Sequence, residues 1–317
     1  MNVLILGSNG FIGKHLANSL YGKGHKIIGF GRKAVPTNSF CSHYIQGDFA
    51  SYSQFRQLLN DFEIDIVYQL ISTSVPNSET NLIQQGIEDN VFPTLRLLDE
   101  MRLSKQTKSI VFSSSGGTIY GNPPSQIKLS EEDSTNPICS YGVQKLMIEN
   151  YLRLFSIEHN LKCISARISN PYGMDGAKGE SQGIIPILIR KNFNQEEITL
   201  FGNTVRDYIH VTDVADCLSR FANLKTTSCT INVGSGIGTS LLQLVDMIEF
   251  HSGIKFNKIR KLQKRHFDIQ YNVLDIRKSK KLLGWEPKTS LDNGIEELCK
   301  VLSSEHTDNS SCAHKPF

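Results

Sequence analysis

In MNVLILGSNGFIGKHL, the opening of the chain, a run of apolar residues breaks on three evenly spaced glycines and then resumes at helical spacing. Residues 3–6 (VLIL) are apolar at every position, the mark of a strand covered on both faces. Ile12, Leu16 and Leu20 lie on one side of a helix. Between them, Gly7, Gly10 and Gly13 meet three demands of a strand–turn–helix unit that cradles a pyrophosphate. The turn must be tight, the backbone must approach the anion, and the helix must pack closely on the sheet. Glycine, lacking a Cβ, satisfies all three. The helix then opens on Phe11 and Ile12, with its free N–H groups aimed at the anion. The same spacing recurs at Gly173, Gly176 and Gly179, but no long helix follows before Pro186, so that copy reads as a loop.

The alternation continues through the first half. Strands are expected at 26–30, 43–48, 64–70, 109–114 and 161–168, with helices clearest at 82–103 and 140–160. Strand and helix in turn predict an α/β fold, a Rossmann-type doubly wound parallel sheet with helices on both faces. After residue 170 the rhythm changes to a Gly-rich loop, a short helix at 184–193, a strand at 198–201, a strand-to-helix unit at 208–224 and a strand at 230–236. We divide the chain into a dinucleotide-binding part (1–170 plus about 205–235) and a smaller α/β substrate-binding lobe at the sheet's carboxyl edge (about 171–204 plus 236–302). Residues 303–317, polar and without periodicity, read as a disordered tail.

Composition narrows the field. A net charge of +3 over 317 residues does not suggest nucleic-acid binding, and no apolar run is long enough to span a membrane. The N-terminus reads as a strand rather than a signal peptide. Seven scattered cysteines, with no C-x-x-C spacing, suggest neither a zinc site nor a disulfide framework and fit a reducing cytosol, so a cytoplasmic location is expected.

Two further stretches carry chemistry. In SYGVQKLMIENYL, Tyr141 and Lys145 stand four apart and share a helix face. A phenol with an ordinary pKa of about 10 is a poor base at neutral pH. An adjacent ammonium favours the phenolate, which could then accept a substrate hydroxyl proton. Tyr52 and Arg56 have the same spacing with no such setting, so the surroundings decide. In FSSSGGTIYG, Ser113, Ser114 and Ser115 close a predicted strand at the edge where doubly wound sheets bind ligands. An acid for a ribose 2′-hydroxyl is missing at the end of the second strand. Gly31 stands there, followed by Arg32 and Lys33, which suit a 2′-phosphate or are simply solvated. Asp48, at the end of the third strand, reads either as an adenine contact or as a turn residue.

The ordered set GSNGFIG, FSSSGGTIYG, PICSYGVQKLMIENYL, RISNPYG and VRDYIHVTDVAD resembles the extended short-chain dehydrogenase/reductase family. Within it the likeness is nearest to nucleotide-sugar 4-epimerases of the UDP-glucose and UDP-N-acetylglucosamine kind, and it covers roughly residues 1–300. The resemblance implies Tyr141 as acid/base and Lys145 as the lysine that tunes it and binds the nicotinamide ribose. It implies Ser115 or Ser114 as the hydroxyl partner, with Thr118 left open because SSSGGT is one residue longer than the common form. Asn170, Arg206 and Arg265 resemble the groups that hold a sugar diphosphate; guanidinium binds phosphate bidentately. Gly116 and Gly117 occupy the place of the Asp–Glu pair that drives water loss in the family's dehydratases.

The resemblance implies a 4-epimerase that uses NAD, with NADP as the alternative, on a nucleotide-diphosphate sugar through a 4-keto intermediate. A homodimer through two long helices is also implied. Arg32 and Lys33 would suit a second activity, an NADPH-dependent reductase of nucleotide 4-keto sugars. The third alternative is a dinucleotide-binding protein without catalysis, against which the intact Ser–Tyr–Lys set argues.

Overall fold

The computed structural model describes residues 1–36, 39–74, 83–174, 183–225, 228–263 and 268–312, with residues 305–312 described by their backbone alone. The chain begins with β1 (Asn2–Leu6), α1 (Phe11–Tyr21), β2 (Lys26–Gly31), β3 (His43–Gln46), α2 (Phe55–Asp61) and β4 (Ile66–Gln69). Next come α3 (Ile83–Gly86), a π-helical turn (Ile87–Val91), α4 (Phe92–Leu103), β5 (Ser109–Ser115), α5 (Ser140–His159) and β6 (Lys162–Ile168). They are followed by β7 (Asn170–Tyr172), α6 (Ile184–Phe193), β8 (Ile198–Phe201), β9 (Val205–His210), α7 (Val211–Arg220) and β10 (Cys229–Val233). The chain continues with β11 (Gly238–Ser240), α8 (Leu241–Ser252), β12 (Ile259–Leu262), β13 (Tyr271–Asn272), α9 (Arg277–Leu283) and α10 (Leu291–Cys312).

Seven strands form one parallel sheet in the order β10-β6-β5-β4-β1-β2-β3. The apolar run of β1 explains why this sheet needs two cores. Val3 and Ile5 point to one face, where they join Leu16 and Leu20 of α1 with Val214 and Leu218 of α7. Leu4 and Leu6 point to the other, among Phe55 and Leu59 of α2, Leu97 of α4 and Ile148 of α5. From β1 the chain builds outward through β2 and β3, then returns to place β4 on the other side of β1. The crevice at that reversal lies beyond the carboxyl ends of β1 and β4, where such sheets bind ligands.

The turn after β1 has the geometry that its glycines allow. Gly7 takes a φ of +89°, and its N–H donates to the Phe30 carbonyl. A Cβ on Gly13 would lie 2.1 Å from the Gly7 carbonyl oxygen, so α1 can press on the turn only with glycine there. Gly13→Ala is expected to cost about 1–3 kcal/mol by overpacking and to weaken dinucleotide binding, as read by thermal melting with and without NAD.

The second lobe has its own sheets and core. β9 pairs with β11, β13 and β7, and β8 pairs with β12. Helices α6, α8 and α10 cover these strands through Leu188, Leu244, Ile248 and Leu298. Residues 205–235 are thus shared between the lobes: α7 and β10 serve the large sheet, whereas β9 belongs to the small one. Asp207 of β9, fully buried, joins them. Its carboxylate accepts from Ser235 N and Oγ (both 2.7 Å), Gly236 N (3.0 Å), Leu274 N (3.2 Å) and Ser169 Oγ (3.2 Å). One expectation needs correcting at the C-terminus. The helix α10 runs to Cys312, through most of the segment that reads as a disordered tail. Among the described residues no helix is long and apolar enough to cross a membrane.

Candidate active site

Helix α5 begins at Ser140, directly after an extended Cys139, so Tyr141 lies in its first turn at the carboxyl edge of the sheet. Ser115 is the last residue of β5, which runs beside β4 in the same sheet. The Ser115 hydroxyl lies near enough to the Tyr141 phenol to pull its pKa down. The Ser114 and Thr118 hydroxyls, the two other candidates, are buried without a hydrogen-bond partner among the described residues. Burial pushes the Tyr141 phenol up to about 12, against the pull of Ser115.

Lys145 is buried one turn further along. Its Nζ donates to the Ser113 carbonyl (2.8 Å) and lies 5.4 Å from the centre of the Tyr141 ring and 4.7 Å from that of Phe112. Burial pushes its ammonium down to about 7, and the Glu149 carboxylate, one turn beyond, opposes that fall. Glu149 is held in turn by Arg167 of β6, through contacts of 2.8 Å (Nη2–Oε2) and 3.1 Å (Nε–Oε1). Arg167 also donates to the Tyr120 hydroxyl (3.0 Å), which donates to Asn232 (2.7 Å). Sequence reasoning missed Glu149 and Arg167. The 141, 145, 149 spacing was the available signal for the first; nothing local announces the second.

The remaining candidates fall around this centre. Asn170 donates its amide to the Asp207 carbonyl (2.9 Å), fixing it between β7 and β9. Arg206 is largely buried on β9, with Nη1 donating to its own strand at Val205 (3.1 Å). Burial lowers its pKa, and the nearby Tyr208 and Asp268 charges oppose this. Arg265, Gly176 and Gly179 lie outside the described residues. A Cβ at Gly116 would meet Leu274 Cδ1 at 2.6 Å and the Arg167 carbonyl oxygen at 2.9 Å. A dehydratase's acid could not stand there without local rearrangement.

At the cofactor end, the turn from Gly7 to Gly13 leads into an α1 start that no side chain caps. Bare backbone facing the crevice fits a pyrophosphate held by the first-turn N–H groups of Phe11 and Ile12. A Cβ at Gly31 would lie 3.0 Å from the Tyr44 hydroxyl, so that hydroxyl stands next to the place where an acid would project. It accepts from Asn9 Nδ2 (3.0 Å) and donates to the Lys33 carbonyl (2.9 Å). Arg32 and Lys33 are exposed. Asp48 accepts from Ala50 N (3.1 Å).

A parallel sheet with a glycine turn at its switch point, and a serine, tyrosine and lysine meeting at its carboxyl edge, defines a dinucleotide-dependent enzyme acting at a carbon–oxygen centre. Residues 3–234 match the model of the NAD dependent epimerase/dehydratase family, and the chain belongs to that family. It is 32% identical over 313 residues to an Escherichia coli protein named dTDP-4-dehydro-6-deoxyglucose reductase, covering 95% of this chain and 97% of that one. It is 30% identical over 311 residues to a putative UDP-glucose 4-epimerase of Methanocaldococcus jannaschii, covering 96% and 99%. Among solved structures, the UDP-glucose 4-epimerase of Thermotoga maritima with UDP-glucose superposes with a TM-score of 0.87 at 27% identity, covering 96% of this chain and all of that one.

Proposed function

We propose that the protein is an NAD-dependent 4-epimerase of nucleotide sugars, acting on a UDP-hexose or UDP-N-acetylhexosamine through a transient 4-keto sugar. The observation that carries this reading is the Ser115–Tyr141–Lys145 set beside a glycine turn, with Gly116 closing off the acid that dehydration would need. The epimerase relatives and the solved complex with UDP-glucose support the substrate class. When bound, the nicotinamide would supply a reversible hydride acceptor for the sugar's C4. Tyr141 takes the 4-hydroxyl proton and gives it back to the opposite epimer. Ser115 holds the oxygen in line with the phenol, and the Lys145 ammonium stabilises the phenolate. Asn170 and Arg206 would hold the diphosphate. Purified protein with UDP-glucose, UDP-N-acetylglucosamine and their galacto epimers should interconvert at least one pair. If none interconverts and added NADPH reduces a 4-keto sugar stoichiometrically, the reading is wrong.

That second outcome defines a nucleotide 4-keto-sugar reductase, favoured by the Escherichia coli relative and by exposed Arg32 and Lys33 after an acid-free β2. Absorbance near 340 nm and mass spectrometry of released ligands separate the two: an epimerase retains its cofactor, whereas a reductase exchanges NADPH every turnover.

The enzyme would work as a homodimer in the cytoplasm, supplying nucleotide sugars for polysaccharide assembly. Supporting the dimer, α5 exposes Val143 (52%), Leu154 (41%) and Ile157 (69%) along one side, and α4 exposes Phe92 and Leu103. Glutamates at Leu154 and Ile157 should convert a wild-type dimer to monomer in analytical ultracentrifugation.

A further inference from the structure

One buried carboxamide connects two parts of the site that the chain makes far apart. Gln144 sits on α5 between Tyr141 and Lys145 and is nearly inaccessible to solvent. Its Oε1 accepts from Ser74 Oγ (3.3 Å) and from Asn90 Nδ2 (3.3 Å), while its Nε2 donates to Ser140 Oγ (3.1 Å). Ser74 belongs to the segment that leaves β4 and passes the glycine turn. A Cβ on Gly7 would touch Ile71 Cγ1 at 3.2 Å and Ile71 N at 3.5 Å. Asn90 lies in the π-helical turn and reaches the same segment, accepting from Thr73 N (2.9 Å) and donating to Ser74 Oγ (3.1 Å). Gly86 makes room for the junction, because a Cβ there would lie 2.4 Å from Gln144 Nε2 and 2.8 Å from Ser74 Oγ.

We propose that Gln144 is a positioning residue that locks the segment after β4, and with it the dinucleotide cradle, to the helix carrying Tyr141 and Lys145. The inference rests on the dinucleotide-dependent reading of the site. Proton and hydride must leave adjacent atoms of one sugar, so phenol and cofactor have to keep a fixed separation while the sugar turns between them. A wandering cradle spoils the hydride step without loosening the sugar's diphosphate, whose candidate ligands lie on β7 and β9. Fully paired buried polar groups of this kind hold a single arrangement.

The test compares wild type with Gln144→Met, which keeps the bulk and removes the hydrogen bonds, and with Gly86→Ala, which pushes the carboxamide aside. In both, kcat should fall at least tenfold while the sugar's KM stays within twofold. NAD should dissociate at least tenfold faster in gel filtration followed by ligand mass spectrometry. If the wild type proves to be a reductase that releases its cofactor, the dissociation constant of added NADPH by calorimetry takes the place of that second readout, with an at least tenfold weakening expected in both variants. Folded variants that retain NAD like wild type, or that lose kcat and sugar affinity together, would overturn the proposal. If Gln144→Met does not fold, Gly86→Ala carries the test alone, with the same two readouts.

Discussion

Tyr141→Phe will remove roughly 10²–10⁴-fold of turnover while leaving the fold and NAD retention intact, because it deletes one oxygen at the half-buried mouth of the site. The size follows from what the phenol must do. Burial pushes it up to about 12, so the neutral phenol prevails at pH 7. The Ser115 hydroxyl, the Lys145 ammonium and the bound nicotinamide's charge have to bring it down. Phenylalanine removes the base on which all three act. Single-turnover bleaching or gain at 340 nm, with the NAD content measured in the same sample, checks the result. Full turnover in Tyr141→Phe would return the non-catalytic reading to the front.

The largest stability effect is expected at the ion pair beneath the lysine. Glu149→Ala leaves Arg167 buried with its charge uncompensated, at a cost of about 3–5 kcal/mol. Replacing both together, Glu149→Leu with Arg167→Met, should cost far less, since a buried pair is weak evidence of net stabilisation. Urea melts of the three variants and wild type decide this. The pair also bears on pH. Lys145 loses its proton near 7, and Glu149 is what opposes a lower value. Glu149→Gln should push the ammonium's pKa down, so the charged form is lost at a lower pH than in wild type. The ratio of variant to wild-type kcat should therefore fall as pH rises from 6 to 8. A ratio flat across that range would show that Glu149 acts on the fold alone.

Most of the large sheet was legible because its central strands carry apolar runs buried on both faces and its helices repeat on one. Strand 198–201 and helix 184–193 match β8 and α6 at both ends. The less regular parts depended on distant partners. β9 looks like any strand ahead of a helix; only its pairing with β7, β11 and β13 assigns it to the small lobe. Residues 303–312 carry no apolar stripe, yet they continue a helix already nucleated upstream, and adding a residue to an existing helix costs little. Within the site, Tyr141 and Lys145 could be read from their spacing together with the glycine loop and serine cluster that precede them. The serines of β5 could not be told apart in this way, because consecutive strand residues alternate faces and the register was uncertain by one. Arg167 was invisible for another reason: its contact with Glu149 arises where β6 packs against α5.

The five hydrogen bonds that converge on the Asp207 carboxylate come from three separate stretches of chain, before β7, after β10 and after β13. A designer who wished to exchange sugar preference by transplanting the smaller lobe from a relative would therefore find no clean seam. The graft would have to import Ser169, Ser235 and the stretch through Leu274 along with β9, or leave a carboxylate stranded in the dry joint between donor and host.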